Sequence, residues 1–182
     1  MDNSTREQRK AKVIEVLNKA RSMELQAITQ YMNQHYNLDD MDYGDMAAKM
    51  KLIAVDEMRH AEQFAERIKE LGGEPTTDPA GPVERGQKVE AIFPFDANLE
   101  DDTIAAYNSF VLVCRENGDS ISQKILEAII DEEQIHFNYF DNVNKHIEQL
   151  GPVYLAQVAG TPSATGLSGQ GFVARQGGGP AA

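Results

Sequence analysis

Apolar side chains recur every three or four residues along four long stretches of the chain, which is the spacing of one face of an α-helix. This pattern predicts four helices. The first runs over about residues 5–35, the second starts near residues 42–44 and ends at 71, the third covers about 97–117, and the fourth starts at 119 or 120 and ends at 150. A shorter apolar stretch predicts a brief fifth helix over residues 153–159. No segment shows the alternation typical of a β-strand, so the sequence predicts an all-α protein.

The segment between the second and third predicted helices is rich in residues that interrupt helices. It contains Gly72, Gly73, Gly81, Gly86, Pro75, Pro79, Pro82 and Pro94. About 24 extended residues can span some 80 Å, whereas a helix of about 28 residues is roughly 42 Å long. This segment can therefore return along the whole bundle, while the two short links predict antiparallel helical hairpins. One long crossover between two hairpins is the topology of a ferritin-like four-helix bundle.

Composition changes sharply after the predicted fifth helix. Residues 1–160 have the periodic pattern of one folded domain, whereas residues 161–182 are rich in Gly, Ser, Thr, Pro and Ala. With few apolar residues to bury, the second part is predicted to be a mobile tail. Its removal is expected to leave assembly and activity intact.

Charge and cysteine content narrow the classes of function. The chain of 182 residues carries a net charge of −12, which disfavours nucleic acids and anionic membranes as partners. An acidic surface suits a protein that handles cations, although it also serves solubility alone. No signal peptide or membrane span is apparent, and the single Cys114 excludes an internal disulfide or a CxxC metal site. We therefore expect a cytoplasmic location.

Acidic residues interrupt the apolar stripe of every long helix. The core-facing positions are occupied by Glu24, Glu57, Glu100 and Glu133, with His60 and His136 three residues after the second and fourth of these. Burying four unpaired carboxylates together is prohibitively costly unless they take up protons or meet positive charge. Apart from Arg21, no Lys or Arg lies regularly on these stripes. Two divalent cations would balance the four carboxylates, and Glu with neutral His suits iron or manganese.

The spacing of these residues indicates an internal repeat. Glu24 and Glu57 are separated by 33 residues, as are Glu100 and Glu133, and Tyr31 and Tyr107 each follow the first glutamate by seven residues. Each second glutamate begins a Glu-x-x-His motif. One such motif is a weak signal, but two at matching offsets predict a metal-binding hairpin that occurs twice.

Several neighbours of this set admit two interpretations. Asp56 and Glu132, each directly before a motif, either orient a ligand histidine or lie solvated at a helix edge. Tyr31 and Tyr107 either serve the site or are core tyrosines whose hydroxyls bond a nearby carboxylate.

Three stretches of the sequence, VIEVLNKARSMELQAITQY, DEMRHAEQFAERIKELGGEP and DEEQIH, resemble the bacterioferritins, and the similarity runs over about residues 12–160. The resemblance implies a shell of 24 subunits that oxidises Fe(II) with O₂ or H₂O₂ at a two-iron ferroxidase centre and stores ferric mineral. It implies that Glu24 and His60 bind one iron, that Glu100 and His136 bind the other, and that Glu57 and Glu133 bridge them.

The resemblance also implies a haem, of b-type or a variant porphyrin, held between two subunits by a methionine from each. The matching methionine is Met58, and the matching pocket positions are Leu25, Thr29 and Met32. This haem would pass electrons from a small redox protein to the stored iron for its release. Leu52 departs from the family pattern, because some members place a histidine there for an extra iron site on the inner surface.

Other functions remain compatible with the same helical stripes. A rubrerythrin-type peroxidase and a dimanganese catalase use this fold, but the missing CxxC pairs disfavour the first and the Met58 match disfavours both. A storage or haem electron-transfer protein without catalysis is a third alternative.

Overall fold

The computed structural model describes residues 3–161 and 171–175. Its regular secondary structure in these residues is helical. The helices are α1 (Asn3–Asp40), α2 (Gly44–Glu70), α3 (Val89–Glu116), α4 (Ser120–Leu150), α5 (Pro152–Val158) and α6 (Phe172–Arg175). Among the described residues there is no strand, only an isolated bridge between Tyr43 and Thr161. The predicted all-α bundle with a long crossover and a short fifth helix is confirmed. None of the helices described is long and apolar enough to cross a membrane.

Short turns join α1 to α2 and α3 to α4, so each pair forms an antiparallel hairpin. Gly118 makes the second turn with a φ of 73°, in the left-handed region that glycine adopts without steric cost. Asp119 then caps α4 by accepting hydrogen bonds from the N–H groups of Ile121 and Ser122. Arg67 of α2 donates to both carboxylate oxygens of Asp119 at 2.9 Å, which ties the two hairpins together.

Helix α3 begins at Val89, eight residues before the predicted start at position 97, and continues through Pro94. The proline removes one backbone hydrogen bond and was therefore expected to lie outside the helix. Ile92 and Phe93 are fully buried in the extra turns. Fully burying one such side chain contributes about 1.5–3 kcal/mol, so the pair offsets the roughly 3 kcal/mol cost of an interior proline.

The crossover, residues 71–88, follows a polar edge of α1. Asn18, Ser22, Gln26 and Gln30, spaced four residues apart, each donate a side-chain hydrogen bond to a crossover carbonyl. The crossover was predicted, but it is shorter than expected because α3 begins at Val89. The polar track along α1 was not predicted. Its signal is visible in retrospect, because polar residues at intervals of four share one edge of a helix.

Two apolar clusters fill the bundle. One includes Ile53 of α2 and Phe140 of α4, and the other includes Phe64 of α2 and Ile129 of α4. On both helices the Glu-x-x-His motif lies between the residues of the two clusters. The polar side chains of the bundle centre are therefore enclosed by apolar layers on either side.

Part of the C-terminal tail contacts the bundle. Phe172 and Val173 are only 5% and 2% exposed, and Phe172 belongs to one of the two apolar clusters. The sequence predicts a mobile tail with few apolar residues, but the short apolar segment around Phe172 is buried against α2 and α4. The remainder of the predicted mobile tail lies outside the described residues.

Candidate metal centre

Six side chains from the four long helices meet in the middle of the bundle. Each is at most 2% exposed to solvent, and the six are Glu24, Glu57, His60, Glu100, Glu133 and His136. Each helix carries its glutamate on the apolar stripe, and the i, i+3 spacing on α2 and α4 places each histidine on the same face as its glutamate. The structure thus brings together all six residues that the sequence selected as metal ligands.

The first half of the centre is arranged around His60. Its Nδ1 atom lies 3.1 Å from Glu57 Oε2, 3.2 Å from Glu133 Oε1 and 3.8 Å from Glu24 Oε1. These four residues offer ligand atoms that all lie within 4.8 Å of one another. The arrangement can hold one metal ion.

The second half repeats the first around His136. Its Nδ1 atom lies 3.0 Å from Glu133 Oε2, 3.1 Å from Glu57 Oε1 and 3.9 Å from Glu100 Oε1. The ligand atoms of this group also lie within 4.8 Å of one another. Because Glu57 and Glu133 belong to both groups, the two halves form one centre with two carboxylates in common.

Two tyrosines link the halves crosswise. Tyr31 of α1 donates a hydrogen bond to Glu100 of α3 at 2.5 Å, and Tyr107 of α3 donates to Glu24 of α1. Helices α1 and α3 therefore each supply one glutamate of the centre and the tyrosine that bonds the glutamate of the other helix. Both tyrosines are buried and bond a carboxylate of the centre, which agrees with both interpretations given above.

Burial and mutual charge shift the pKa values of side chains in the centre. Burial, reinforced by the charge of Glu133, raises the pKa of Glu24 and of Glu100 well above the usual range. Burial alone would lower the pKa of His60 and of His136, but the surrounding carboxylates raise both well above the usual range. Burial likewise opposes ionisation of Glu133, but the two histidines lower its pKa. These shifts favour the protonated forms of Glu24, Glu100, His60 and His136 in the buried centre.

The acids directly before the two motifs both face the centre from outside. Glu132 Oε2 lies 3.1 Å from His60 Nε2, and Asp56 Oδ2 lies 3.5 Å from His136 Nε2. Burial raises the pKa of Asp56, but the contact with His136 and the N–H of Val173 lower it below its usual value. Contacts at Nε2 leave each Nδ1 atom directed at the centre, which favours the orienting role over the solvated one.

The donor set and its unsatisfied atoms suit two divalent cations. Glu57 Oε1, Glu133 Oε1 and His136 Nε2 are buried without a hydrogen bond of good geometry. Buried polar atoms are ordinarily satisfied, so those on the shared carboxylates favour an additional positive partner. Carboxylate oxygens and imidazole nitrogens are suitable donors to iron, manganese or zinc.

The residues suggested for a haem lie on the outside of the same region. Met58, one position after Glu57, is 55% exposed, whereas Glu57 is 1% exposed. Thr29 is also exposed, and Leu25 and Met32 are half-buried. Leu52 is 6% exposed and packs in the apolar cluster that contains Phe172.

Sequence reasoning missed three residues beside the centre. Gly171, Phe172 and Val173 are buried, and the Val173 N–H donates to Asp56 Oδ2 at 2.9 Å. The Phe172 ring centroid lies 6.4 Å from that of His136. The available signal was a short Gly-Phe-Val run in a tail otherwise poor in apolar residues.

Comparisons with known proteins agree with this architecture. Residues 14–150 match the model of the ferritin-like domain family. The chain is 64% identical over 168 residues to a bacterioferritin of Desulfovibrio desulfuricans, covering 92% of this chain and 94% of that protein. It is 32% identical over 151 residues to bacterioferritin BfrA of Mycobacterium tuberculosis, covering 82% and 95% of the two chains.

Solved structures give the same result. A structure of the D. desulfuricans bacterioferritin, from a study of its diiron site in different catalytic states, superimposes with a TM-score of 0.89 at 63% identity. It covers 95% of this chain and 100% of its own. The structure of M. tuberculosis BfrA superimposes with a TM-score of 0.77 over 81% of this chain and 93% of its own. The chain belongs to the ferritin-like domain family and, within it, to the bacterioferritins.

Proposed function

We propose that this protein oxidises Fe(II) to Fe(III) at the buried centre and stores the product as ferric mineral. The observation that carries the proposal is the pair of four-residue groups that share Glu57 and Glu133. A centre with two common carboxylates suits two ions of the same kind held side by side. The D. desulfuricans relative, described as having a diiron site, supports iron as those ions.

The residues of the chain set the conditions for this reaction. Glu24 with His60, and Glu100 with His136, would each hold one Fe(II), and Glu57 and Glu133 would bridge the two. Each Fe(II) gives up one electron, so a pair supplies the two electrons that reduce O₂ to H₂O₂ or H₂O₂ to water. Because the carboxylates keep their charge, they stabilise the additional positive charge of the Fe(III) product.

Anaerobic loading followed by addition of oxidant tests the proposal. Stopped-flow absorbance should show a fast phase that oxidises two Fe(II) per subunit, with O₂ or with H₂O₂. Manganese-loaded protein should not disproportionate H₂O₂, which separates this function from a dimanganese catalase. Slow oxidation at the rate of free Fe(II), without a fast phase, would contradict the proposal and favour storage without catalysis.

We also propose that a haem binds between two copies of the chain through Met58. The exposed thioether of Met58 fits this group, because thioethers are established axial ligands of haem iron. A two-fold interface would supply one Met58 from each subunit. Leu25, Thr29 and Met32 would line the pocket. The bound haem would supply one-electron transfer toward the stored iron.

Replacing Met58 with leucine should remove the haem absorbance and leave the initial rate of Fe(II) oxidation unchanged. Leucine has a similar volume but cannot coordinate iron, and such swaps cost less than about 1.5 kcal/mol. Met50→Leu is the matched control, because Met50 lies on the same helix but is fully buried. Absorption spectra of the purified variants measure haem content. Full haem content in Met58→Leu would exclude Met58 as the ligand.

The remaining features of the proposal follow the family. The chain would assemble into a shell of 24 subunits in the cytoplasm and receive electrons for iron release from a small redox protein. Native mass spectrometry of the purified protein should give the 24-subunit mass. A stable dimer under the same conditions would contradict the cage.

A further inference from the structure

The terminal turn, residues 171–173, lies beside the His136 half of the centre. The Phe172 side chain lies against the ring of Tyr139 with centroids 5.1 Å apart and faces His136 at 6.4 Å. The Val173 N–H donates to Asp56 Oδ2 at 2.9 Å. The turn is therefore attached both by apolar burial and by a hydrogen bond to a buried carboxylate.

Gly171 fits its place so closely that no other residue can replace it without movement. A Cβ atom at this position would lie 1.7 Å from Asp56 Oδ1 and 2.4 Å from Asp56 Cγ. The carboxylate cannot yield easily, because Arg59 lies 3.2 Å from Oδ1 and His136 lies 3.5 Å from Oδ2. The glycine is required by close approach to this side chain.

The terminal turn makes the two halves of the repeat unequal. In one half, Glu132 faces His60, and the Glu132 side chain is 24% exposed. In the other, Asp56 faces His136, and the Asp56 side chain under the turn is 2% exposed. The same outer carboxylate position is thus open to water at one edge of the centre and covered at the other.

From this asymmetry we propose that the terminal turn is a cover that seals the His136 edge of the metal centre, so that ions exchange with solvent through the edge formed by Glu132 and His60. The role rests on the proposed function, because it requires metal at the centre. The turn also positions Asp56, and through it His136. Ions bound beside His136 therefore leave more slowly than the ligands alone would allow.

Release of Co(II) from the assembled full-length protein tests this role. Co(II) replaces Fe(II) as a probe that is stable in air and whose visible absorbance depends on its coordination. After loading, an excess of a chelator is added and the decay of this absorbance is followed. Gly171→Ala should bind Co(II) in the same amount as the wild type. It should release one of the two ions about tenfold faster, a ratio typical of losing one hydrogen bond to a charged group.

Gly81→Ala is the matched control for the same chemical change. Its Cβ would lie 3.4 Å from the nearest atom, the flexible amide of Gln26. This variant should release Co(II) at the wild-type rate. Hydrogen exchange provides a second measurement, because the Val173 amide should be protected in the wild type and in Gly81→Ala but not in Gly171→Ala.

The outcomes distinguish failure of the role proposed for the terminal turn from failure of metal binding at the centre. Failure of the wild type to bind Co(II) would overturn the proposed function and with it the role of the turn. Normal binding with unchanged release in Gly171→Ala, together with loss of amide protection, would overturn the role of the turn alone. An unprotected Val173 amide in the wild type would also overturn it.

Discussion

Replacing Glu133 with alanine should abolish the fast oxidation of Fe(II). This residue belongs to both four-residue groups, and its two carboxylate oxygens contact both histidines. Its loss therefore removes a ligand from each iron at once. Mutating a residue that only supports a metal ligand typically lowers metal affinity or activity 10–100-fold. For Glu133→Ala we therefore expect the rate of the fast phase to fall by more than about a hundredfold. Stopped-flow absorbance after mixing with oxidant measures the rate.

Asp131→Ala is the matched control for this variant. Asp131 lies two residues earlier on α4 and is exposed, so the substitution removes the same charge without reaching the centre. Its fast phase should equal that of the wild type. Circular dichroism should show equal helix content in both variants. A fast phase that survives in Glu133→Ala would contradict the role of this residue as a shared ligand.

Loading the metal-free protein with two divalent ions should release about four protons per subunit. The raised pKa values of Glu24, Glu100, His60 and His136 favour their protonated forms, whereas metal binding requires the deprotonated forms. Two divalent ions add the charge that four departing protons remove. The overall binding constant should therefore rise by up to about four powers of ten per pH unit where all four groups are protonated. Titration calorimetry in buffers of different ionisation enthalpy counts the protons.

The same shifts determine the stability of the metal-free protein. A group whose pKa is raised in the folded state contributes stability that is fully present below its unfolded value and lost as pH rises through the folded value. The unfolded values are close to 4.5 for the glutamates and 6.5 for the histidines. The contribution of the glutamates should thus decline as the pH rises above 4.5, and that of the histidines as it rises above 6.5, so the Tm of the metal-free protein should fall with rising pH. The Tm of the metal-loaded protein should fall less. Metal uptake without proton release would contradict this account.

The six residues of the centre could be predicted because the energetic cost of burying them is visible in the sequence. Glu57 and Glu133 interrupt apolar stripes, where a lone carboxylate destabilises the fold unless something compensates it. The repeated spacing then indicated that the acids share one compensating partner. The pairing of Tyr31 with Glu100 was not predicted, because it depends on which helices face each other across the bundle.

The features that the sequence did not predict depend on tertiary packing. Pro94 lies within α3 because the buried Ile92 and Phe93 offset its local cost. The contact of the terminal turn with the bundle could not be predicted, because three residues are too few to show a helical or strand periodicity. A glycine is required at position 171 only because Asp56, 115 positions earlier in the chain, packs against it.

A crystal structure of the iron-loaded protein with anomalous scattering at the iron edge tests the central claim most directly. The account predicts two iron peaks in each subunit, about 3.5–4 Å apart, the usual separation in two-metal sites. Glu57 and Glu133 should lie between the two peaks, with His60 beside one and His136 beside the other. A single peak, or iron bound elsewhere while these six side chains remain without metal, would contradict the account.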